Sequence, residues 1–200
     1  MKLGTMMAIF DAAGSPHTCE RPLRGLHASY IPNIIVRTHT NQRAWFYDDL
    51  ILKGIVLVHC MSVRDEESCG NLRTLAKVQS LLGPALGKNT FIYSITTDPV
   101  NDTCAALGRI AEKYKARDGW LFLTGQPAEL KSLRERLFTH GGGHDCSMNL
   151  LRYGNEQAGL WGGTPITNSP ESIVERISWI TPREHASGGY TRGGPPELAE

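Results

Sequence analysis

Cysteine is the residue type in this chain that can take part in the most kinds of chemistry, because its thiolate can bind a metal, attack an electrophile or form a disulfide. The chain has five cysteines, Cys19, Cys60, Cys69, Cys104 and Cys146. Their number is odd, their spacing is irregular, and they form neither a C-x-x-C pair nor a zinc-like double pair. A disulfide scaffold is therefore not expected, and at least one thiol should be free.

Cys69 has the best position for chemistry. It follows the apolar run GIVLV (54–58) and a short loop, and it precedes a helical pattern that begins at Leu72. The positive end of a helix dipole favours a thiolate, whereas the acidic loop residues that start at Asp65 disfavour it by charge repulsion. The residues leave two alternatives open: a reactive thiol, or an unreactive cysteine at the start of a helix.

Other polar residues with chemical potential have simpler structural explanations. Cys60 lies inside an apolar run and is expected to be a small buried hydrophobe. Asp98 and Asp102 resemble a pair of catalytic carboxylates, but a turn residue and a helix cap explain them better. His39 is expected on the surface, and Cys104 in the first turn of a helix.

These residues must be positioned by strands and helices that alternate along the chain. Continuous apolar runs predict buried strands, namely 54–61, 90–97 and 119–125. Apolar residues at helical spacing predict helices that contain Leu72, Leu107, Leu130 and Ile173. The segments LLRYGN and GLWG predict an antiparallel hairpin before the last helix. This order predicts an α/β sandwich with a mixed sheet, and ligands in such sheets bind at the carboxyl ends of the strands, here 61–69.

The bulk composition limits the class of protein. A chain of 200 residues with 40% hydrophobic content suits one globular domain. We expect an irregular arm over 1–28, a folded domain over 29–182 and a Gly- and Pro-rich tail over 183–200. The 21 basic and 20 acidic residues are dispersed, which argues against nucleic acid as a partner. No run approaches the roughly 20 apolar residues of a transmembrane helix, and no clear export signal is seen.

Four segments together resemble the Sco/SenC family, thioredoxin-like proteins involved in copper delivery to cytochrome oxidase. They are YIPNIIVRTHTNQRAWFYDDL, IVLVHCMSVRDEESCGNL, FIYSITTDPVNDTCAALGRIAEKYKARDGWLFLTG and LLRYGNEQAGLW. The resemblance runs in order from about Tyr30 to Trp179. It implies a thioredoxin-like three-layer α/β sandwich, copper as the metal, and a respiratory oxidase subunit or another membrane complex as the partner. It also implies a periplasmic or membrane-associated location.

The resemblance implies a copper site whose ligand positions are partly replaced. The family binds copper through two cysteines in a C-x-x-x-C loop and through a distal histidine. By position, the second cysteine falls on Cys69 and the first falls on Asp65. The distal histidine falls on Ser147, and the proline that usually follows the second cysteine is replaced by Gly70.

The remaining soft donors could still form a copper site. Cu(I) prefers thiolate, thioether and imidazole, so the carboxylate of Asp65 is a poor substitute for a thiolate. Cys69 with His144, completed by Cys146 or Met148, is a chemically suitable set. The glycine-rich loop that contains His144 is also consistent with a simple linker. A disulfide between Cys69 and Cys146 is a further hypothesis.

These observations favour a Sco/SenC-like protein with a degenerate copper site. Its implied role is copper handling or respiratory oxidase assembly, like that of a metallochaperone, and no turnover reaction is implied. One alternative is a metal-free structural or interaction protein on a thioredoxin-like scaffold. A second alternative is a thiol redox protein that uses the single cysteine Cys69.

Overall fold

The computed structural model describes residues 25–66, 70–138 and 149–181. The strands are β1 (Ile35–Thr38), β2 (Arg43–Trp45), β3 (Ile55–Met61), β4 (Thr90–Thr96), β5 (Trp120–Gly125), β6 (Leu150–Asn155) and β7 (Leu160–Pro165). The α-helices are α1 (Asn71–Leu82), α2 (Cys104–Lys113), α3 (Pro127–Phe138) and α4 (Pro170–Ile180). Short helical turns occupy Phe46–Leu50, Ile51–Lys53 and Gly83–Ala85.

One mixed sheet organises these elements, with the strand order β2-β1-β5-β4-β3-β6-β7. Strands β3, β4 and β5 are parallel neighbours. The hairpin of β6 and β7 adds to β3 in antiparallel orientation, and the hairpin of β1 and β2 adds to β5 in the same way. The predicted α/β sandwich with a mixed sheet and a late hairpin is confirmed.

The apolar residues of the sheet enter two cores, one on each face. Residues of α1, α2 and α4, among them Leu75, Leu107 and Ile177, cover one face. Residues of α3 and of the turn Phe46–Leu50 cover the other face. All seven residues of β3 are buried because both faces of this central strand are covered. Each large apolar side chain in these cores stabilises the fold by about 1.5 to 3 kcal/mol.

Hydroxyl side chains cap the starts of α2 and α4. Helix α4 begins after Ser169, whose hydroxyl accepts a hydrogen bond from the Ser172 amide at 3.2 Å. The predicted role of Asp102 as the cap of α2 is wrong, because Thr103 accepts from the Ala106 amide at 3.2 Å. Three adjacent residues could each cap this helix, and contacts elsewhere in the fold decide which one does. No helix in the described ranges is long and apolar enough to cross a membrane.

Candidate functional site

The loop that follows β3 lies at the carboxyl edge of the parallel strands, as predicted. Asp102, which is only 3% exposed, holds the first part of this loop. Its carboxylate accepts from the Val63 amide at 3.1 Å and from the Thr96 hydroxyl at the end of β4. Asp102 therefore does not cap a helix or act as one of a catalytic pair. It ties the loop to the neighbouring strand.

Glu66 holds the loop from its other side. This carboxylate is buried, and it accepts from the Lys113 ammonium at 2.8 Å and from the Tyr114 hydroxyl. Both partners lie at the end of α2. One of the negative charges that the sequence places near Cys69 is thus compensated by a lysine. Asp65, at the position of the first copper cysteine, is half-buried beside it.

Gly70 explains one departure from the Sco/SenC pattern. It precedes α1 with a φ of 65°, in the left-handed region that side-chain-bearing residues disfavour. Proline, which the family usually has at this position, is locked near a φ of about −65°. A proline therefore cannot adopt the backbone conformation found at this helix start.

A small cavity of about 10 Å³ lies between the end of β3, the loop and the start of α1. Its lining residues are His59, Cys60, Met61, Ser62, Asp65, Glu66, Asn71 and Leu72. A cavity of this size holds about one water. This cavity is therefore too small for an organic substrate.

Cys60 is disulfide-bonded, whereas Cys104 is a free cysteine. The expectation that Cys60 is only a small packing residue is therefore wrong, although it is fully buried as predicted. Its position near the end of β3, beside the loop, brings the sulfur within reach of another cysteine. That partner must be Cys19, Cys69 or Cys146, which all lie outside the described residues.

The sequence HCM at the end of β3 places three soft groups side by side without bringing them together. Successive side chains of a strand point to opposite faces, so His59 and Met61 share one face and Cys60 points to the other. Within 25–66, 70–138 and 149–181, no group of three His, Cys, Asp or Glu residues is arranged to hold a metal. A metal site made of three such side chains would therefore draw on residues beyond these ranges.

Most of the predicted copper residues lie outside the described part of the chain. This holds for Cys69, His144, Cys146 and Met148, for Ser147 at the family's histidine position, and for the hypothesis of a disulfide between Cys69 and Cys146. Asp65 is the replaced position that is described. It lines the small cavity beside the loop after β3, where the sequence predicted the site. The set of copper ligands stays a prediction.

Two other residues considered for chemistry have structural roles. Asp98 is the predicted turn residue, and a hydrogen bond from the Asn101 side chain at 2.8 Å holds the pKa of its carboxyl below its usual range. His39 is half-buried rather than on the surface, and burial lowers its pKa. Its Nδ1 accepts from the Phe122 amide at 3.3 Å.

Sequence reasoning missed a network around Glu156, a side chain with 1% exposure. Its carboxylate accepts from the Tyr47 hydroxyl at 2.6 Å and from the Trp161 indole at 2.9 Å. It also accepts from the amide and from Nδ1 of His27, at 2.5 and 2.9 Å. Burial raises the pKa of Glu156, but these hydrogen bonds outweigh burial and hold the pKa below its usual range. The available signal was an acidic residue directly after an apolar strand.

Comparison with known proteins supports the resemblance found in the sequence. The model of the SCO1/SenC family matches residues 66–142, which begin in the loop after β3 and extend beyond α3. The recognition of this family is thereby confirmed over that part of the chain. Comparison with curated protein sequences gives no match.

Solved Sco structures share the fold. ScoI of Bradyrhizobium japonicum, solved with copper bound, is 15% identical with a TM-score of 0.57, over 73% of this chain and 96% of that chain. A SCO1/SenC family lipoprotein of Bacillus anthracis is 13% identical with a TM-score of 0.61, over 80% and 98% of the two chains. BsSco is 16% identical with a TM-score of 0.60, over 74% and 91%. The predicted thioredoxin-like architecture is confirmed.

Proposed function

We propose that this protein binds Cu(I) and serves copper handling during the assembly of a respiratory oxidase. The match of the SCO1/SenC model to residues 66–142 carries the proposal, because this range includes Cys69. Two structural relatives support it: ScoI was solved with copper bound, and BsSco is described as a cytochrome c oxidase assembly protein. The lipoprotein from B. anthracis supports a membrane-associated location, and a subunit of the oxidase is the proposed partner.

The proposed ligands are Cys69, His144 and one of Cys146 and Met148. Their thiolate, imidazole and thioether groups match the preference of Cu(I) for soft donors. Asp65 is left out because a carboxylate suits harder ions. The loop after β3 is well suited to present a ligand, since the Val63 amide is bound to Asp102 and the Glu66 carboxylate is bound to Lys113.

The disulfide of Cys60 adds a redox condition to copper binding. If its partner is Cys69 or Cys146, the oxidised protein lacks one proposed thiolate. Reduction by a dithiol, with transfer of two electrons and two protons, converts the disulfide into two thiols and restores that ligand. A related protein, BsSco, is described as having a disulfide switch.

A Cu(I) titration of the reduced full chain against a chromogenic chelator tests the proposal. We expect one tightly bound Cu(I) per chain, and loss of this binding in Cys69→Ala, because the thiolate is the strongest ligand of the set. Cys104→Ala is the matched control, since Cys104 is a free, half-buried cysteine on α2. It should bind copper like the wild type.

Two results of this titration would contradict the proposal. One is the absence of tight binding by the reduced wild type, and the other is unchanged binding by Cys69→Ala. The same titration on the air-oxidised chain tests the redox condition. Uptake should fall in proportion to the fraction of chains that retain the Cys60 disulfide, provided that this disulfide uses Cys69 or Cys146.

The metal-free alternative also has an observation in its favour. Asp65 replaces one of the two sulfurs that the family pattern places in the loop after β3. An interaction protein of this kind should bind the oxidase complex equally well as wild type and as Cys69→Ala. Copper-dependent binding that is lost in Cys69→Ala would instead favour the copper proposal.

A further inference from the structure

Arg152 is a polar side chain of the segment LLRYGNE that has no evident structural role in the fold. Asn155 donates to the Ile180 carbonyl at 2.9 Å, and Glu156 anchors Tyr47, His27 and Trp161. The guanidinium of Arg152, by contrast, makes no hydrogen bond or ion pair with the described residues, and its Nε is buried. A buried donor without an acceptor costs about 1 to 3 kcal/mol, so a ligand that accepts from this Nε would remove that cost.

Arg152 opens into a cavity of about 70 Å³, which we call the arginine pocket. Its lining residues are His27, Tyr30, Ile31, Arg136, Leu137, Arg152 and Trp161. A water requires about 10 to 15 Å³ of such volume, so the pocket has room for roughly five waters or a small organic group. The arginine pocket can therefore admit a small group, whereas the small cavity beside Cys60 cannot.

The charge of the arginine pocket favours an anion. Arg136 and Arg152 contribute two positive charges, and the Arg136 guanidinium lies 5.5 Å from the centre of the Tyr30 ring. The one carboxylate in contact with the lining residues is Glu156 among those described, and both of its oxygens already accept two hydrogen bonds each. Glu156 therefore forms no direct ion pair with either arginine, although its negative charge offsets part of theirs. Guanidinium groups pair in bidentate fashion with carboxylates and phosphates.

The walls of the arginine pocket favour an organic acid over an inorganic anion. Ile31 and Leu137 are each 3% exposed and supply aliphatic surface. Tyr30 and Trp161 supply aromatic surface, and the Trp161 indole N–H is already used by Glu156. An alkyl chain can pack against these groups while its carboxylate meets the two guanidinium groups.

We infer that the arginine pocket binds the carboxylate of an organic acid, held by Arg152 and Arg136 with its carbon chain against Tyr30, Trp161, Ile31 and Leu137. The carboxylate can belong to a free acid or to an acidic side chain of a protein partner. The site uses none of the proposed copper ligands and does not depend on copper binding. Its two arginines lie near the end of α3 and the start of β6, on either side of the segment that contains His144.

An NMR titration of the isotope-labelled full chain with butyrate tests the inference. The Arg152 Nε–Hε signal should shift saturably with butyrate. Butyramide, which has the same shape without the charge, should give no comparable shift, and inorganic phosphate should bind more weakly than butyrate. Equal binding of butyrate and butyramide, or no saturable response to butyrate, would overturn the inference.

Variants separate the arginine pocket from general charge effects. Arg152→Met keeps the apolar bulk and should weaken butyrate binding at least tenfold, as followed by the Trp161 indole signal. Arg136→Gln, at an exposed position, should weaken it several-fold without affecting the fold. Arg176→Met is the matched control, because Arg176 also has a buried Nε without a partner and stacks on Trp179 outside the pocket.

The control should leave the butyrate affinity unchanged, and an equal loss in Arg176→Met and Arg152→Met would contradict the site. A glutamate-containing peptide with blocked ends then distinguishes the two sources of the carboxylate. Tighter binding of the peptide than of butyrate indicates a protein side chain, and weaker binding indicates a free acid. Either order supports the site, whereas failure of both ligands overturns it.

Discussion

Glu156 is a single buried carboxylate that connects the late hairpin with two distant parts of the chain. Its partners are His27 before β1, Tyr47 in the turn after β2, and Trp161 in β7. Hydrogen bonds to a charged acceptor contribute about 1.5 to 3 kcal/mol each. The segment before β1 is therefore fixed to the late hairpin by charge-assisted hydrogen bonds as well as by apolar contacts.

Glu156→Gln should lower the free energy of unfolding by about 2 to 3 kcal/mol at pH 7. The pKa of Glu156 is lowered in the folded state, so its ionised form stabilises the protein above its ordinary pKa of 4.5. This stabilisation is lost as the pH falls through 4.5 toward the folded-state pKa. The difference between wild type and variant should therefore shrink between pH 7 and low pH in urea unfolding experiments.

The control for this prediction is Glu135→Gln. Glu135 is exposed on α3 and lies 3.9 Å from Lys131, a surface pair that contributes little. Its loss should change the free energy of unfolding by less than about 1 kcal/mol at either pH. A pH-independent effect of Glu156→Gln would show that its carboxylate is not ionised in the folded state.

The contacts of Glu156 with Tyr47 and His27 could not be predicted from the sequence, because these residues are far from Glu156 in the chain. Tyr47 and Glu156 are 109 positions apart, and no local sequence pattern predicts a contact over such a separation. The disulfide of Cys60 was missed for the same reason: an apolar strand predicts burial but not the approach of a second sulfur. The loop after β3 was located correctly, because the end of a buried strand is a local signal.

At the scale of the elements, Gly70 sets the start of α1. Gly70→Ala should destabilise the protein by about 1 to 2 kcal/mol in urea unfolding, because alanine is disfavoured at a positive φ. An added Cβ meets no atom within 4 Å, so the effect comes from the backbone alone. The same change at Gly108, inside α2, is the matched control.

Gly108→Ala should instead stabilise the protein by about 0.5 to 1 kcal/mol, since alanine favours a helix interior. The nearest atom to its added Cβ is the His39 carbonyl oxygen at an ordinary 3.8 Å. If Gly70→Ala were as stable as Gly108→Ala, the left-handed start of α1 would be contradicted.

The central strands and the helices could be predicted because each has a strong apolar pattern of its own. Strand β3 is apolar on both faces, and α1 presents Leu72, Leu75 and Leu82 to the core. The cap of α2 could not be predicted, since Asn101, Asp102 and Thr103 can all cap a helix and local preference ranks threonine below the other two. Asp102 does not act as the cap because its carboxylate already accepts hydrogen bonds from β4 and from the loop after β3.

At the scale of the whole molecule, the mixed sheet brings the loop after β3 to the carboxyl edge of the parallel strands, where α/β sheets bind their ligands. The strand order around β3 could not be read from apolar patterns, because such a pattern indicates the burial of a strand but not its neighbours in the sheet. The fold does not by itself decide between a copper protein and a metal-free scaffold, because function depends on the site. The difference between them lies in the ligands.

X-ray absorption at the copper edge, on the reduced full chain loaded with Cu(I), identifies those ligands directly. We predict sulfur at thiolate distance together with lighter nitrogen, and fewer sulfur neighbours in Cys69→Ala. The Cys104→Ala control should give the wild-type spectrum. A copper environment made only of oxygen and nitrogen, or a spectrum that Cys69→Ala leaves unchanged, would contradict the proposed copper site.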